Sequence, residues 1–230
     1  MKHVVVFTGA GISAESGIRT FRDSNGLWEE YRIEDVATPE AWQKNPVLVT
    51  NFYNERRKQV MLANPNDAHK ALSELEKHFR VTVITQNVDD LHERGGSTEV
   101  IHLHGEIMKL RSVQDPSLIY SLSDWEVAAD ALNESGHNLR PHIVWFGEMV
   151  PKMDEAVFMT MKADIFIIIG SSLEVYPAAG LVQYAPEQSE KYLIDPHAKE
   201  IKGVENLTII KKTAVHAVPE LVKKLIESHV

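Results

Sequence analysis

The chain has 230 residues, 43% hydrophobic and 25% charged, the usage of a folded protein large enough to bury roughly 70% of its unfolded surface. With no cysteine it can form neither a disulfide framework nor a thiolate nucleophile, an iron–sulfur cluster or a Cys-ligated zinc site. Its 33 acidic residues outnumber 24 basic ones, a formal charge of −9 that repels a phosphate backbone and argues against a nucleic-acid partner.

Val4-Val5-Val6-Phe7 opens the chain as a buried strand. It runs into Gly9-Ala10-Gly11-Ile12-Ser13-Ala14, a G-x-G-x-x-A turn expected to begin a helix. Glycines there let the backbone approach a pyrophosphate; the bland alternative is a tight strand–helix turn with no ligand. The ordinary dehydrogenase arrangement is disfavoured, because a loop, Asp23-Ser24-Asn25-Gly26, stands where a second strand ending in an acid belongs. Residues 19–66 hold no convincing strand, only helical pieces around Val47 to Leu62. Ala68, Ala71, Leu72, Leu75 and Phe79 then repeat at helical spacing, followed by a strand over Val81 to Ile84.

That strand ends in Thr85-Gln86-Asn87-Val88-Asp89-Asp90, which either meets a ligand at the sheet's carboxyl edge or caps a helix through Leu91. Val100 to Gly105 places His102 and His104 on one face of a short strand. A metal pair is disfavoured there because no third ligand lies nearby. His102 reads as a structural histidine, and His104, beside a glycine at a strand end, as a general base. Residues 105–141 are mixed, with turns at Asp115-Pro116 and Ser135-Gly136 and an apolar stripe of Leu118, Leu122, Trp125, Ala128 and Leu132. Three more buried strands follow: Ile165 to Ile169, ending in Gly170-Ser171-Ser172; Tyr192 to Ile194, ending in Asp195-Pro196; and Leu207 to Ile210. Val215, Val218, Leu221, Val222 and Leu225 form a last helix, with Pro219 an early-turn proline.

Strands alternating with helices predict an α/β fold, a Rossmann-type doubly wound parallel sheet with a second, smaller domain inserted. The large domain is expected over about 1–20, 67–104 and 142–230, the small one over about 21–66 and 105–141. The longest apolar run, Ile165 to Ile169, falls far short of the ~20 residues of a membrane span. No export leader is visible, so no membrane partner and a cytoplasmic location are expected.

Together Thr8 to Ser13, Gly17 to Arg22, Thr85 to Asp89, Leu103-His104-Gly105, Arg140 to Glu148 and Gly170-Ser171-Ser172 resemble the sirtuins, the NAD-dependent protein deacylases. The resemblance implies NAD as co-substrate and acyl-lysine proteins or peptides as partners, meeting between the two domains. It places Gly9, Ala10, Gly11, Ser13, Ala14, Ile18, Thr20, Phe21, Arg22 and Trp28 around the cofactor. Gln86, Asn87, Val88 and Asp89 would hold the nicotinamide end, and Gly170, Ser171, Ser172, Asp195 and Ala214 the adenosine side. Family members usually carry asparagine where Asp195 stands. Val144, Phe146, Gly147, Glu148 and Val175 would form the acyl-lysine tunnel mouth and a backbone ladder for an extended peptide.

The chemistry implied is attack of the acyl oxygen on the nicotinamide ribose, loss of nicotinamide, and His104 as general base on a ribose hydroxyl. Products would be free lysine, nicotinamide and O-acyl-ADP-ribose. A protein ADP-ribosyltransferase or a non-catalytic NAD sensor are the competing classes, both disfavoured by the His104-Gly105 motif. Asn51 to Arg57 resembles the Tyr-x-x-Arg helix of class III sirtuins, which implies that Tyr53 and Arg56 bind an acidic acyl group, with small Ala37 widening the pocket. Against this stands core packing for Tyr53 and a solvated charge for Arg56. Most sirtuins also carry two Cys-x-x-Cys pairs for a structural zinc. Ser112, Asp115, Leu132 and Ser135 stand at those positions, so no zinc is expected, and an apolar mini-core of Leu118, Ile119, Leu122 and Trp125 is expected instead.

Overall fold

The computed structural model describes residues 1–20 and 31–229. Phe21, Arg22, Trp28 and the Asp23–Gly26 loop lie outside them.

Six strands, β1 (His3–Thr8), β2 (Arg80–Thr85), β3 (Val100–His102), β7 (Ile165–Ile169), β8 (Glu190–Ile194) and β9 (Leu207–Ile210), form one sheet in the order β3-β2-β1-β7-β8-β9. Every neighbouring pair is parallel, beginning with Val4 beside both Val81 and Ile165. This is the doubly wound order, and the direction of strand addition reverses between β1 and β7. Both faces are covered, which explains why the strands read as unbroken apolar runs. Val4, Val6, Val83 and Ile167 pack against α4 (Asp67–Leu75) and α7 (Ala214–His229). Val5, Phe7, Phe166 and Ile168 pack on the opposite face with Ala156 of α6 (Met153–Thr160) and the 3-10 turn Ala178–Tyr184.

A second sheet is antiparallel: β4 (Gly105–Ser112) lies between β5 (Ile119–Ser121) and β6 (Leu139–Ile143). β6 carries it to Ile143, just beyond the boundary near 142 expected from sequence. Three helices pack with it: α1 (Ile33–Val36), α2 (Pro39–Lys44) and α3 (Pro46–Leu62). α3 starts on Asn45, whose side chain accepts from Leu48 N, with Pro46 in the first turn. It buries Val49, Phe52, Tyr53, Arg56, Arg57 and Val60, one face at three- and four-residue spacing. Their neighbours include Val36, Ala37, Ile107, Ile143 and Trp145.

Three expectations change. The glycine turn does not open a helix; Ala10–Ile12 and Ala14–Ser16 are two 3-10 turns, stopped by Gly17 at φ 87°. The Ile12 carbonyl, which a continuing α-helix would need, instead accepts from Asn66 Nδ2 at 2.8 Å. The apolar mini-core is not formed: Leu118, Ile119 and Leu132 are exposed, and Leu122 and Trp125 only half-buried. Hydrogen-bonded turns hold that segment, with buried Ser112 Oγ accepting from Asp115 N, and Asn133 Oδ1 accepting from the amides of Ser135 and His137. Finally, β3 stops at His102, so His104 lies beyond the strand.

Among the described residues no helix is long and apolar enough to cross a membrane.

Candidate functional site

The polar strand ends converge where strand addition reverses. Gly9 N donates to Ile169 O and Gly11 N to Gly170 O, bringing the β1 and β7 ends into van der Waals contact. A Cβ on Gly11 would lie 2.6 Å from Gly170 Cα, and one on Gly170, at φ +60°, 2.4 Å from Ile12 N. Only glycine fits at either place. Gln86 Nε2 donates to the Ser171 hydroxyl at 2.9 Å, tying the β2 end to the same point.

The loop after β2 is held from several sides. Asn87 N donates to Thr85 Oγ1 at 3.0 Å, and Asn87 Nδ2 to Ser13 Oγ at 3.2 Å. Ser13 Oγ in turn donates to Asp89 Oδ2 at 3.1 Å, while Asp89 Oδ1 caps Leu91 N of the short helix α5 (Leu91–Arg94). Asp89 thus holds the start of α5, as the cap reading expects. Burial raises the Asp89 pKa to about 6 against those two hydrogen bonds and the charge of His102.

His104, half-buried, donates from Nδ1 to Gln86 O at 3.1 Å. A carbonyl can only accept, so this bond fixes the proton on Nδ1 and leaves the Nε2 lone pair for an incoming proton. Burial pulls the His104 pKa below its ordinary value, outweighing that hydrogen bond, and favours the neutral imidazole.

Ala10, Ser13, Ile18, Arg19, Arg56, Gln59, Val60, Asn87, Val88, Asp89 and Ile107 line one cavity. Arg56 of α3 thus meets the polar loop on a shared wall. Its guanidinium lies 3.8 Å from the Phe52 ring centroid and donates to Phe52 O at 3.3 Å. Its buried Nε has no hydrogen-bond partner, and among the described residues no carboxylate pairs with it. Burial pushes its pKa down to about 10.

Tyr53 and Ala37 are buried in the core beneath and do not line this cavity. The Tyr53 hydroxyl accepts from Trp145 Nε1 at 2.9 Å, and burial pushes its pKa up to about 12. Val144 N donates to His104 O, and Phe146 N to Ala37 O, so the 144–148 segment is moored to both sides of the site, with Phe146 and Gly147 exposed. Val175 is half-buried, and Ser172 exposed. The Glu148 carboxylate is occupied: it accepts from Arg111 Nη2, both Arg140 Nη atoms and Trp145 N at 2.7–3.1 Å. It clamps the loop rather than lining a tunnel. Arg111, Arg140 and Glu148 wall a separate hollow of about 280 Å³ with Trp42 and Trp145, away from the strand ends.

At the outer strands, Asp195 Oδ1 accepts from His197 N at 2.7 Å, so its carboxylate shapes the turn after β8. Ala214 is buried at the start of α7. Ala14 and Ile18 are half-buried beside the first turn, and Thr20 is the last described residue before the omitted segment.

Sequence reading missed Arg57, one residue beyond Arg56. It is wholly buried and donates to Ile107 O at 3.0 Å, Trp125 O at 2.6 Å and Asn54 Oδ1. Adjacent basic residues on a helix give no hint of which one points inward.

Among the described residues no group of three or more His, Asp or Glu side chains could hold a metal ion. The Sir2 family model matches residues 9–177. The chain belongs to the Sir2 family. It is 52% identical over 229 residues to an NAD-dependent protein deacylase of Helicobacter pylori, covering 99% of each chain. It is 52% identical over 231 residues to one of Bacteroides thetaiotaomicron, covering 98% of this chain and 99% of that one. Among solved structures, a complex of a Sir2 homologue with NAD superposes with a TM-score of 0.89 at 38% identity, covering 100% of this chain and 91% of the other. A Sir2 enzyme with a deacetylated peptide and 3′-O-acetyl ADP-ribose gives 0.83 at 31% identity, covering 98% and 92%.

Proposed function

We propose that this Sir2-family chain is an NAD-dependent protein-lysine deacylase that removes succinyl and malonyl groups as well as acetyl. The observation that carries the chemistry is His104, with Nδ1 committed to Gln86 O and Nε2 left as a base beside the loop of Asn87 and Asp89. NAD, when bound, supplies the ribose that takes the acyl group, leaving nicotinamide, O-acyl-ADP-ribose and free lysine.

The chain's own residues fit that co-substrate. Glycines let the backbones at the β1 and β7 ends pack against one another, shaping the turn that a pyrophosphate would approach. Asn87 commits Nδ2 to Ser13 and keeps Oδ1 for a ribose hydroxyl. His104 Nε2 takes a hydroxyl proton, and its lowered pKa keeps the neutral form populated at neutral pH. Exposed Phe146 and Gly147, with half-buried Val144 and Val175, suit an extended acyl-lysine peptide. The large domain, read as about 1–20, 67–104 and 142–230, is the part taken to carry NAD.

Arg56 supports the acidic-acyl preference. Among the described residues no carboxylate pairs with this buried guanidinium, its Nε is an unused donor for an anion, and the cavity it lines also reaches Asn87 and Asp89. Tyr53 adds less than its spacing suggests, since its oxygen already receives the Trp145 N–H and only its own O–H remains to donate. A charge-assisted hydrogen bond is worth about 1.5–3 kcal/mol, so Arg56→Met should cost roughly ten- to a hundredfold in kcat/KM on succinyl- and malonyl-lysine peptides. Deacetylation should be largely spared. Equal losses on all three peptides would make Arg56 structural and the enzyme a plain deacetylase.

A further inference from the structure

His102, two residues before the base, sits between two acceptors. Its ring is buried, with Nδ1 3.1 Å from Asn87 O and Nε2 2.7 Å from Glu93 Oε1. The Asn87 carbonyl can only accept, so Nδ1 carries a hydrogen. Nε2 then faces a carboxylate oxygen, and both atoms are donors when the imidazole is charged and Glu93 ionised. Burial works against each charge, yet the pair outweighs it: the net shift of His102 is upward and that of Glu93 downward. Consecutive carbonyls of one loop are thus each gripped by a histidine Nδ1, Gln86 O by His104 and Asn87 O by His102, with the two pKa values shifted in opposite directions. The charge of His102 also acts on buried Asp89, favouring its ionised form.

We propose that Glu93 and His102 form a charged pair that fixes the Asn87 peptide, making His102 a positioning residue for NAD. The inference rests on the reading of Asn87 and Asp89 as the nicotinamide-end contacts. Carbonyls gripped by a charged donor are displaced less easily than carbonyls left to water, so the pair sets how well the loop is arranged before NAD arrives. Glu93 is half-exposed at the tip of α5, so it reaches the site only through His102.

The test compares steady-state kinetics of Glu93→Gln, His102→Phe, His102→Gln and Asn87→Ala, with melting temperatures and nicotinamide inhibition. Glu93→Gln keeps a polar partner on Nε2 but removes the charge, so it should raise KM for NAD about three- to tenfold. His102→Phe should raise it tenfold or more, with the nicotinamide inhibition constant rising in step and KM for the acyl peptide within about twofold of wild type. His102→Gln, whose amide can still donate to Asn87 O, should recover part of the loss. If His102→Phe fails to fold, Glu93→Gln at its half-exposed position carries the test. KM for NAD within twofold of wild type in the folded variants would overturn the proposal, as would KM values for both substrates rising together. Asn87→Ala separates the two claims: impaired Asn87→Ala beside normal Glu93 and His102 variants removes only the pair's role. Normal NAD kinetics in Asn87→Ala would remove the reading of the loop itself, and the pair's role with it.

Discussion

Replacing Arg57 with methionine should cost far more stability than any surface charge on the same helix. Arg57 is wholly buried and donates to Ile107 O on β4, Trp125 O and Asn54 Oδ1, tying α3 to the small sheet and to the 125–127 segment. Asn54 reinforces the tie by donating to Val127 O and accepting from Val127 N. Three hydrogen bonds from a charged donor contribute about 1.5–3 kcal/mol each. Burial of the cation works against them: its pKa falls from 12.5 to about 10, a cost of roughly 3 kcal/mol at 1.36 kcal/mol per unit. The net loss on truncation is therefore about 2–6 kcal/mol, a large share of the 5–15 kcal/mol typical of a folded protein. For a chain of this size that corresponds to a melting temperature lower by roughly 5–20 °C in calorimetry. Arg57→Lys should recover little, because one ammonium on a single stem cannot direct donors at three separated acceptors. A melting temperature within about 2 °C of wild type for Arg57→Met would refute the tie.

Gly170→Ala should weaken NAD binding about tenfold or more by calorimetric titration, since its Cβ would meet Ile12 N at 2.4 Å in a left-handed backbone; wild-type affinity would contradict the close approach. His69 is buried with a pKa lowered by burial to about 4, against 6.5 when unfolded. Its contribution is thus complete above pH 6.5 and lost as pH falls toward 4, about 3 kcal/mol in all. Asp89, raised by burial to about 6, moves stability the opposite way in that window, so the measurement is the difference between wild type and His69→Gln in urea unfolding. Parallel pH curves for the two proteins would contradict the assignment. A chelator should change neither melting temperature nor deacylation rate, because the chain has no cysteine and the 112–137 segment is held by hydrogen bonds. Stoichiometric zinc, lost together with activity, would overturn that.

The parallel sheet was legible because its strands are buried on both faces and so announce themselves as unbroken apolar runs such as Ile165 to Ile169. Gly9, Asn87, His104 and Gly170 were legible for a related reason: each follows a strand, and strand ends of one sheet must converge. The small sheet was harder. Ile107 and Leu110 alternate with polar neighbours only imperfectly along β4, and Pro141 makes β6 read as a breaker, although β6 is an edge strand where proline is tolerated. The apolar stripe from Leu118 to Leu132 misled, because the 113–139 segment is a half-exposed excursion held by side-chain turns and has no partner layer to bury it. Non-local pairings were out of reach. Nothing near Tyr53 shows that its hydroxyl meets Trp145, 92 positions away, nor near Arg140 that its guanidinium stacks 3.3 Å from that indole's centroid and shares Glu148 with Arg111. The two adjacent arginines of α3 are alike in sequence and different in use: Arg57 donates to three oxygens in the interior, and Arg56 lies on the cavity wall, paired with no carboxylate among the described residues.

The central claim is that His104 Nε2 accepts a proton in an NAD-consuming transfer of an acyl group from lysine. Mass spectrometry of acetyl-, succinyl- and malonyl-lysine peptides incubated with NAD and either wild type or His104→Ala tests it most directly. Wild type should yield unmodified peptide, nicotinamide and O-acyl-ADP-ribose in equal amounts, and His104→Ala should bind NAD yet release no deacylated peptide. ADP-ribose attached to protein in place of O-acyl-ADP-ribose, or near-normal deacylation by His104→Ala, would contradict it.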